Sequence, residues 1–126
     1  MLKTFEVTPA RRNYWIPFEF SEFTSLCPVT GQSNFAKITI DYLPDRFCLE
    51  NKSLKTYLGS FRDVQIGREE VVNRILDDLI EACEARQIMI RAFFSRRDGM
   101  NMTIHAEHPS PALKRSLRRE KEFRVV

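Results

Sequence analysis

Cys27 is the residue best able to do covalent chemistry in this chain. It sits within Phe23–Phe35, FTSLCPVTGQSNF, read as a loop punctuated by Pro28 and Gly31 between two strand-like runs. A thiol becomes a strong nucleophile once ionised, and nearby positive charge and dipoles set how readily that happens. A lone cysteine is also a small hydrophobe that fills core space. Two features weigh toward chemistry. Pro28 removes the next amide donor, and Thr30-Gly31-Gln32 makes a turn lined with hydrogen-bonding groups.

A second informative stretch is Glu50-Asn51-Lys52-Ser53-Leu54-Lys55. Two lysines three apart at a helix start lie on one face, near the positive end of the dipole, and suit a phosphate. An ordinary polar helix start with Ser53 as its cap fits the same letters. Glu69 has two readings as well. A carboxylate can take two parallel N–H bonds from a guanine-like edge, or it can simply answer the dipole of a following helix. His105 and His108 are three apart in a strand-like run, so they point to opposite faces and make no metal pair. No glycine-rich phosphate loop or serine elbow is present, and no metal site is expected.

These residues must be held by elements that the hydrophobic pattern sketches. Tyr14 to Phe23 alternates Ile16, Phe18 and Phe20 against Trp15, Pro17 and Glu19, a strand that Pro17 places at an edge or next to a bulge. Lys37–Tyr42 alternates with Ile38, Ile40 and Tyr42 on one side. Pro44-Asp45 is a turn, Phe47–Leu49 a short apolar run, and Ser53–Phe61 has helical spacing. Val71–Cys83 carries an apolar stripe opposite Asn73, Arg74, Asp77, Asp78 and Glu81. Ile88–Ser95, a hairpin turn at Arg97-Asp98-Gly99 and Met102–Ala106 complete two more strands. The fold class is α+β, in the order strand, strand, helix, helix, strand, strand. Residues 1–11 read as a loosely held arm.

The 126 residues amount to about one domain, with a core at about 12–108 and a tail from 109 to 126. A net charge of +3 is too small to argue for nucleic acid by itself. Three cysteines at irregular spacing leave one unpaired in any disulfide scheme, which favours a reducing compartment. Cys48 and Cys83 read as core residues. MLKTFEV is not a signal peptide, and no run approaches the ~18 apolar residues of a membrane span, so a cytoplasmic protein is expected. The tail sets Lys114, Arg115, Arg118, Arg119, Lys121 and Arg124 against Glu120 and Glu122. It is either a solvated segment or a contact for an anion, a subunit or RNA.

Together the residues resemble a known family. Phe23-Thr24-Ser25-Leu26-Cys27-Pro28-Val29-Thr30-Gly31-Gln32, Phe35-Ala36, Leu43-Pro44-Asp45, Glu50 through Leu58, Ser60-Phe61-Arg62 and Asn73-Arg74-Ile75 are similar to the short form of the QueF family. The likeness runs from about residue 20 to about residue 108. It implies an NADPH-dependent reduction of the nitrile of 7-cyano-7-deazaguanine to the aminomethyl base, on the way to queuosine in tRNA. It also implies the tunnelling fold (T-fold), an antiparallel sheet with helices on one face, and a homo-oligomeric barrel with active sites between subunits. Cys27 then forms a covalent thioimide, Glu50 and Glu69 hold the deazapurine, and Lys52, Ser53, Lys55 and Arg62 meet NADPH.

Two positions depart from the family pattern at the catalytic site. Asn34 stands where the family carries an aspartate that protonates the nitrile nitrogen, and Arg68 where it carries a histidine. An amide delivers no proton and arginine stays charged. General acid catalysis is typically worth ~10²–10⁴ in rate, so water or another side chain must substitute. Arg68 in turn offers a fixed charge that favours the Cys27 thiolate. Two other readings use the same residues. One is an amidine-forming relative that lets ammonia attack the thioimide on tRNA, which the basic tail suits and the retained lysines do not. The other is a non-catalytic deazapurine binder.

Overall fold

The structure is a computed structural model that describes residues 2–7 and 14–109. The elements follow in the order β1 (Thr4–Glu6), β2 (Ile16–Leu26), β3 (Ser33–Leu43), β4 (Phe47–Leu49), α1 (Asn51–Gly59), α2 (Arg68–Cys83), β5 (Gln87–Arg97) and β6 (Met100–His108). Strands β2, β3, β5 and β6 form one antiparallel sheet in that spatial order, and β1 pairs with β4 in a separate ribbon. The expected strand and helix order is therefore present, with the small ribbon added to it.

Period-two burial explains the sheet. Ala36, Ile38, Ile40 and Tyr42 on β3 and Ile88, Ile90, Ala92 and Phe94 on β5 are buried, while Lys37, Arg91 and Phe93 face outward. Both helices cover the buried face. Val71, Val72, Ile75, Leu79 and Cys83 form the inner stripe of α2, and Leu54, Tyr57 and Leu58 that of α1, all in one core cluster. Cys48 and Cys83 lie in this interior as expected, and burial pushes the Cys83 thiol pKa up. Pro17 sits on the edge strand β2, where a missing ladder donor is tolerated.

Two bulges matter for function. Phe20 and Phe23 pair with Ile38 and Ala36, so β2 carries one extra residue there. Phe94 and Arg97 pair with Met102 and Met100, which gives β5 one extra residue as well. One inserted residue moves every later side chain to the opposite face of its strand. The inward set on β2 therefore changes from Ile16, Phe18 and Phe20 to Phe23 and Ser25, with Cys27 next in phase. Beyond its own bulge, Arg97 takes the inward phase on β5.

Three expectations are corrected. The stretch Phe23–Phe35 is mainly strand, since β2 continues to Leu26 and β3 begins at Ser33, leaving only Cys27–Gln32 as loop. Residues 2–7 are not a loose arm. Glu6 receives a hydrogen bond from Arg46 Nε at 2.8 Å, and the Lys3 carbonyl accepts the Glu50 N–H at 2.9 Å. Glu50, not Ser53, caps α1: its two carboxylate oxygens accept from the backbone N–H groups of Lys52 and Ser53. Residues 8–13 of the arm and 110–126 of the basic tail lie outside the described residues. Among the described residues no helix is long and apolar enough to cross a membrane.

Leu79 is fully buried between α2 and the sheet. Leu79→Ala is expected to cost about 2–5 kcal/mol of stability, read from the shift in urea midpoint. Val29→Ala, at an exposed position, should stay within about 0.5 kcal/mol.

Candidate active site

The thiol of Cys27 is seated by the turn that joins β2 to β3. The Cys27 N–H donates to the Gln32 carbonyl at 2.8 Å, and the Gly31 N–H donates back to the Cys27 carbonyl at 2.9 Å. Gly31 takes a φ of 74°, a left-handed conformation that favours glycine. The fold wraps the turn around the sulfur. The Thr30 hydroxyl is the largest influence on it, followed by the backbone N–H groups of Thr30 and Val29, with the Arg97 charge adding to them. Desolvation opposes them by more than the Arg97 charge adds, and the thiol pKa still comes down from 9.0 to about 7. The sulfur remains partly exposed.

Arg97 is the cation beside the thiol that sequence reasoning missed. Its Nη2 donates to the Ser33 carbonyl at 2.8 Å, which fixes the guanidinium beside the Cys27 turn. The reading had assigned the positive charge near the thiol to Arg68. Arg68 is close by: with Arg97, Asp98, Asn101, Met100 and Met102 it lines a cavity of about 360 Å³, and its guanidinium lies 5.8 Å from the Phe94 ring centre. The cation acting on the sulfur is Arg97. The only signal in the sequence was its place beside the Asp98-Gly99 turn.

The start of α2 reaches this site through the main chain. The Leu26 N–H donates to the Val64 carbonyl at 2.9 Å, and the Ile66 N–H donates to the Leu26 carbonyl at 3.0 Å. That short parallel bridge delivers Gly67, Arg68 and Glu69 next to the end of β2. Gly67 caps α2 without a side chain, and Glu69 lies exposed in the first turn, where a carboxylate suits the dipole. Asn34 is paired across the ladder with Ser25, is 6 % exposed, and lines a small cleft with Ser33, Phe94 and Arg97.

The remaining nominated residues lie elsewhere in the chain. Glu50 is at the far end of α1, a nine-residue helix about 13 Å long, from the linker that meets Leu26. Lys52 and Ser53 join Lys3, Glu50 and Thr56 around a cavity of about 260 Å³. Ser53 is buried, and its hydroxyl accepts from Lys3 N at 2.9 Å and donates to the Glu50 carbonyl at 3.0 Å. Lys55 is on the other flank of α1, in a groove of about 290 Å³ with Phe18, Phe20, Ile38 and Leu54. The two lysines thus line different cavities. Arg62 is exposed in the linker between the helices.

The chain is an antiparallel α+β fold with a partly exposed cysteine of lowered pKa at the end of a strand, an architecture of the tunnelling-fold class. The family model described as QueF-like protein matches residues 33–112. An NADPH-dependent 7-cyano-7-deazaguanine reductase of Nitrosomonas europaea is 49% identical over 107 residues, covering 85% of this chain and 77% of the relative. One from Halorhodospira halophila is 46% identical over 107 residues, covering 85% and 91%. The crystal structure of an archaeosine synthase QueF-Like in the apo form superposes with a TM-score of 0.69 at 19% identity, over 74% of this chain and 91% of that one. This chain belongs to the QueF-like family.

The thiol makes a pH prediction. With a folded pKa of about 7, the thiolate fraction grows as pH rises through 7. Iodoacetamide should alkylate Cys27 with a midpoint near that pH and reach a plateau above it. Thr30→Val should move the midpoint up toward the ~8.5 of a free thiol, and Arg97→Leu should move it the same way by less. Midpoints that stay put in both variants would remove the basis for this assignment.

Proposed function

We propose that this chain reduces the nitrile of 7-cyano-7-deazaguanine to the 7-aminomethyl base with NADPH, in the cytoplasm, as a step toward queuosine in tRNA. The observation that carries the reading is the Cys27 thiol, which its turn and Arg97 bring to about half ionised at neutral pH. The relatives named as reductases of this nitrile, close to half identical across most of the chain, agree with it.

The chemistry follows from the groups present. The Cys27 thiolate adds to the nitrile carbon, forming the S–C bond, and a π pair of the nitrile moves onto nitrogen. That nitrogen takes a proton from water, because Asn34 donates hydrogen bonds but has no acidic proton. Asn34 holds the growing negative charge on nitrogen, and Arg97 stabilises the thiolate before attack. Arg68 stays charged throughout, so its part is electrostatic. Glu69 accepts from the N–H edge of the deazapurine. Lys52, with Lys3 and Thr56, borders a cavity that suits a cofactor phosphate. Ser53 fixes Lys3 there, and Lys55 and Arg62 provide further cationic contacts on α1 and the linker. NADPH, when bound, would supply the two hydride equivalents; with a second proton from water they carry the carbon to the amine level, and the S–C bond breaks to return the Cys27 thiolate.

The working unit is a homo-oligomer built as a barrel, with sites between subunits. Two features support this. Strands β2 and β6 end the sheet with open edges among the described residues, and such edges pair readily with another copy. Glu50 also caps the end of α1 opposite the linker that meets Leu26, which suits a neighbour's Glu50 completing the site. Residues 12–108 act as one catalytic unit.

NADPH oxidation in the presence of 7-cyano-7-deazaguanine should be measurable by absorbance and should vanish in Cys27→Ala. Intact-protein mass spectrometry without NADPH should show the Cys27 adduct. Consumption of the adduct on tRNA by ammonia, without NADPH oxidation, would refute the reductase reading. Sedimentation should give a multiple of 14.9 kDa, and an active monomer would refute the shared site.

A further inference from the structure

Among the described residues, the hydroxyl of Ser25 is the one buried side-chain polar atom with no hydrogen-bond partner. Its residue is 0 % exposed. A hydroxyl sealed from water and left unpaired lowers stability, and native proteins rarely keep one without a use. The place of this one is informative. The bulge at Phe20/Phe23 turns Ser25 inward, on the side of β2 that Cys27 takes two residues later. Directly across the ladder is Asn34, whose amide makes no side-chain hydrogen bond in the resting chain and lines the cleft beside Arg97. Side chains directly opposite in an antiparallel pair stand about 4.5–5.5 Å apart at Cβ, within reach of a hydrogen bond after one rotamer change.

We infer that Ser25 is a positioning residue that works through Asn34. When the nitrile adds to Cys27, the Ser25 hydroxyl donates to Asn34 Oδ1 and turns the Nδ2–H groups toward the substrate nitrogen. An amide has two ends that differ in chemistry, and only the NH₂ end can serve a nitrogen gaining negative charge. A free amide flips between the two; a donor on the oxygen side selects one. Ser25 forms no covalent bond and transfers no proton, which still comes from water. Sealed behind the amide, it has no direct contact with substrate. The inference rests on the nitrile-adduct reading of Cys27 and adds to it how a site with asparagine in place of an acid is held in order.

The test follows adduct formation between Cys27 and 7-cyano-7-deazaguanine by intact-protein mass spectrometry, without NADPH, alongside thermal unfolding. Ser25→Ala should raise the melting temperature, because it deletes an unpaired buried hydroxyl, yet slow adduct formation roughly 10- to 100-fold. Iodoacetamide should still alkylate Cys27 in that variant at the wild-type rate. In an Asn34→Ala background the further change Ser25→Ala should have no effect on adduct formation, since nothing is left to position. Ser25→Thr, which keeps the hydroxyl, should stay near the wild-type rate. Wild-type adduct formation in Ser25→Ala, or equal slowing with and without Asn34, overturns the inference. A wild-type chain that forms no adduct at all overturns the functional reading, and this inference with it.

Discussion

Two inserted residues, one in β2 and one in β5, decide which side chains meet at the candidate site. A strand places every second side chain inward, and its phase is unforgiving: one step moves the whole set to the other face. Without the bulge between Phe20 and Phe23, Cys27 would follow the phase of Glu19 and face away from the helices. Without the one after Phe94, Arg97 would follow Phe93 outward. Both bulges point their residues at the same end of the covered face, so thiol and guanidinium converge although 70 positions separate them in the chain. The linker bridge at Leu26 then adds α2 to that end. The site is thus a consequence of ladder irregularities, and the regular parts of the sheet supply its floor.

Much of this architecture was legible in the sequence because burial on one face imposes a period. Ile38, Ile40 and Tyr42, or Ile75, Leu76 and Leu79, can be placed by spacing alone. Asp98-Gly99 is legible for a related reason. Both residues take positive φ, as a two-residue hairpin turn requires, and that chemistry is local. The extent of β2 was harder. The phase change from Phe20 to Phe23 ends the visible alternation, and a reader of periods sees a strand stopping where the chain only bulges. The β1–β4 ribbon left no pattern, since three residues are too few to show one and its pairing is with residues more than 40 positions away.

The candidate site was legible unevenly, and the reason is again range. Cys27, Thr30 and Gly31 are neighbours, so their turn is written in consecutive letters. Arg97 acts on the thiol across the sheet, and nothing around it in the sequence points to Ser33 or Cys27. Motif resemblance carried Glu50, Lys52 and Lys55 as a group, yet the helix separates them: Lys52 and Lys55 open onto different cavities. Residues that belong together by family pattern need not meet within one copy of the chain.

The α1 terminus shows how an occupied cap changes the chemistry of a nearby site. A free helix N-terminus binds an anion through its unsatisfied N–H groups and its dipole, both at short range. Here the Glu50 carboxylate already takes two of those donors and answers the dipole with a charge of its own. A phosphate arriving at this end meets no vacant main-chain cradle. It must be held by side chains, Lys3 and Lys52 foremost, since the Thr56 hydroxyl already donates to the Lys52 carbonyl. Such contacts are exposed to solvent and screened over about 10 Å at ordinary salt, so they hold an anion weakly. The cap thus moves any anion contact at this end of α1 from the main chain to side chains.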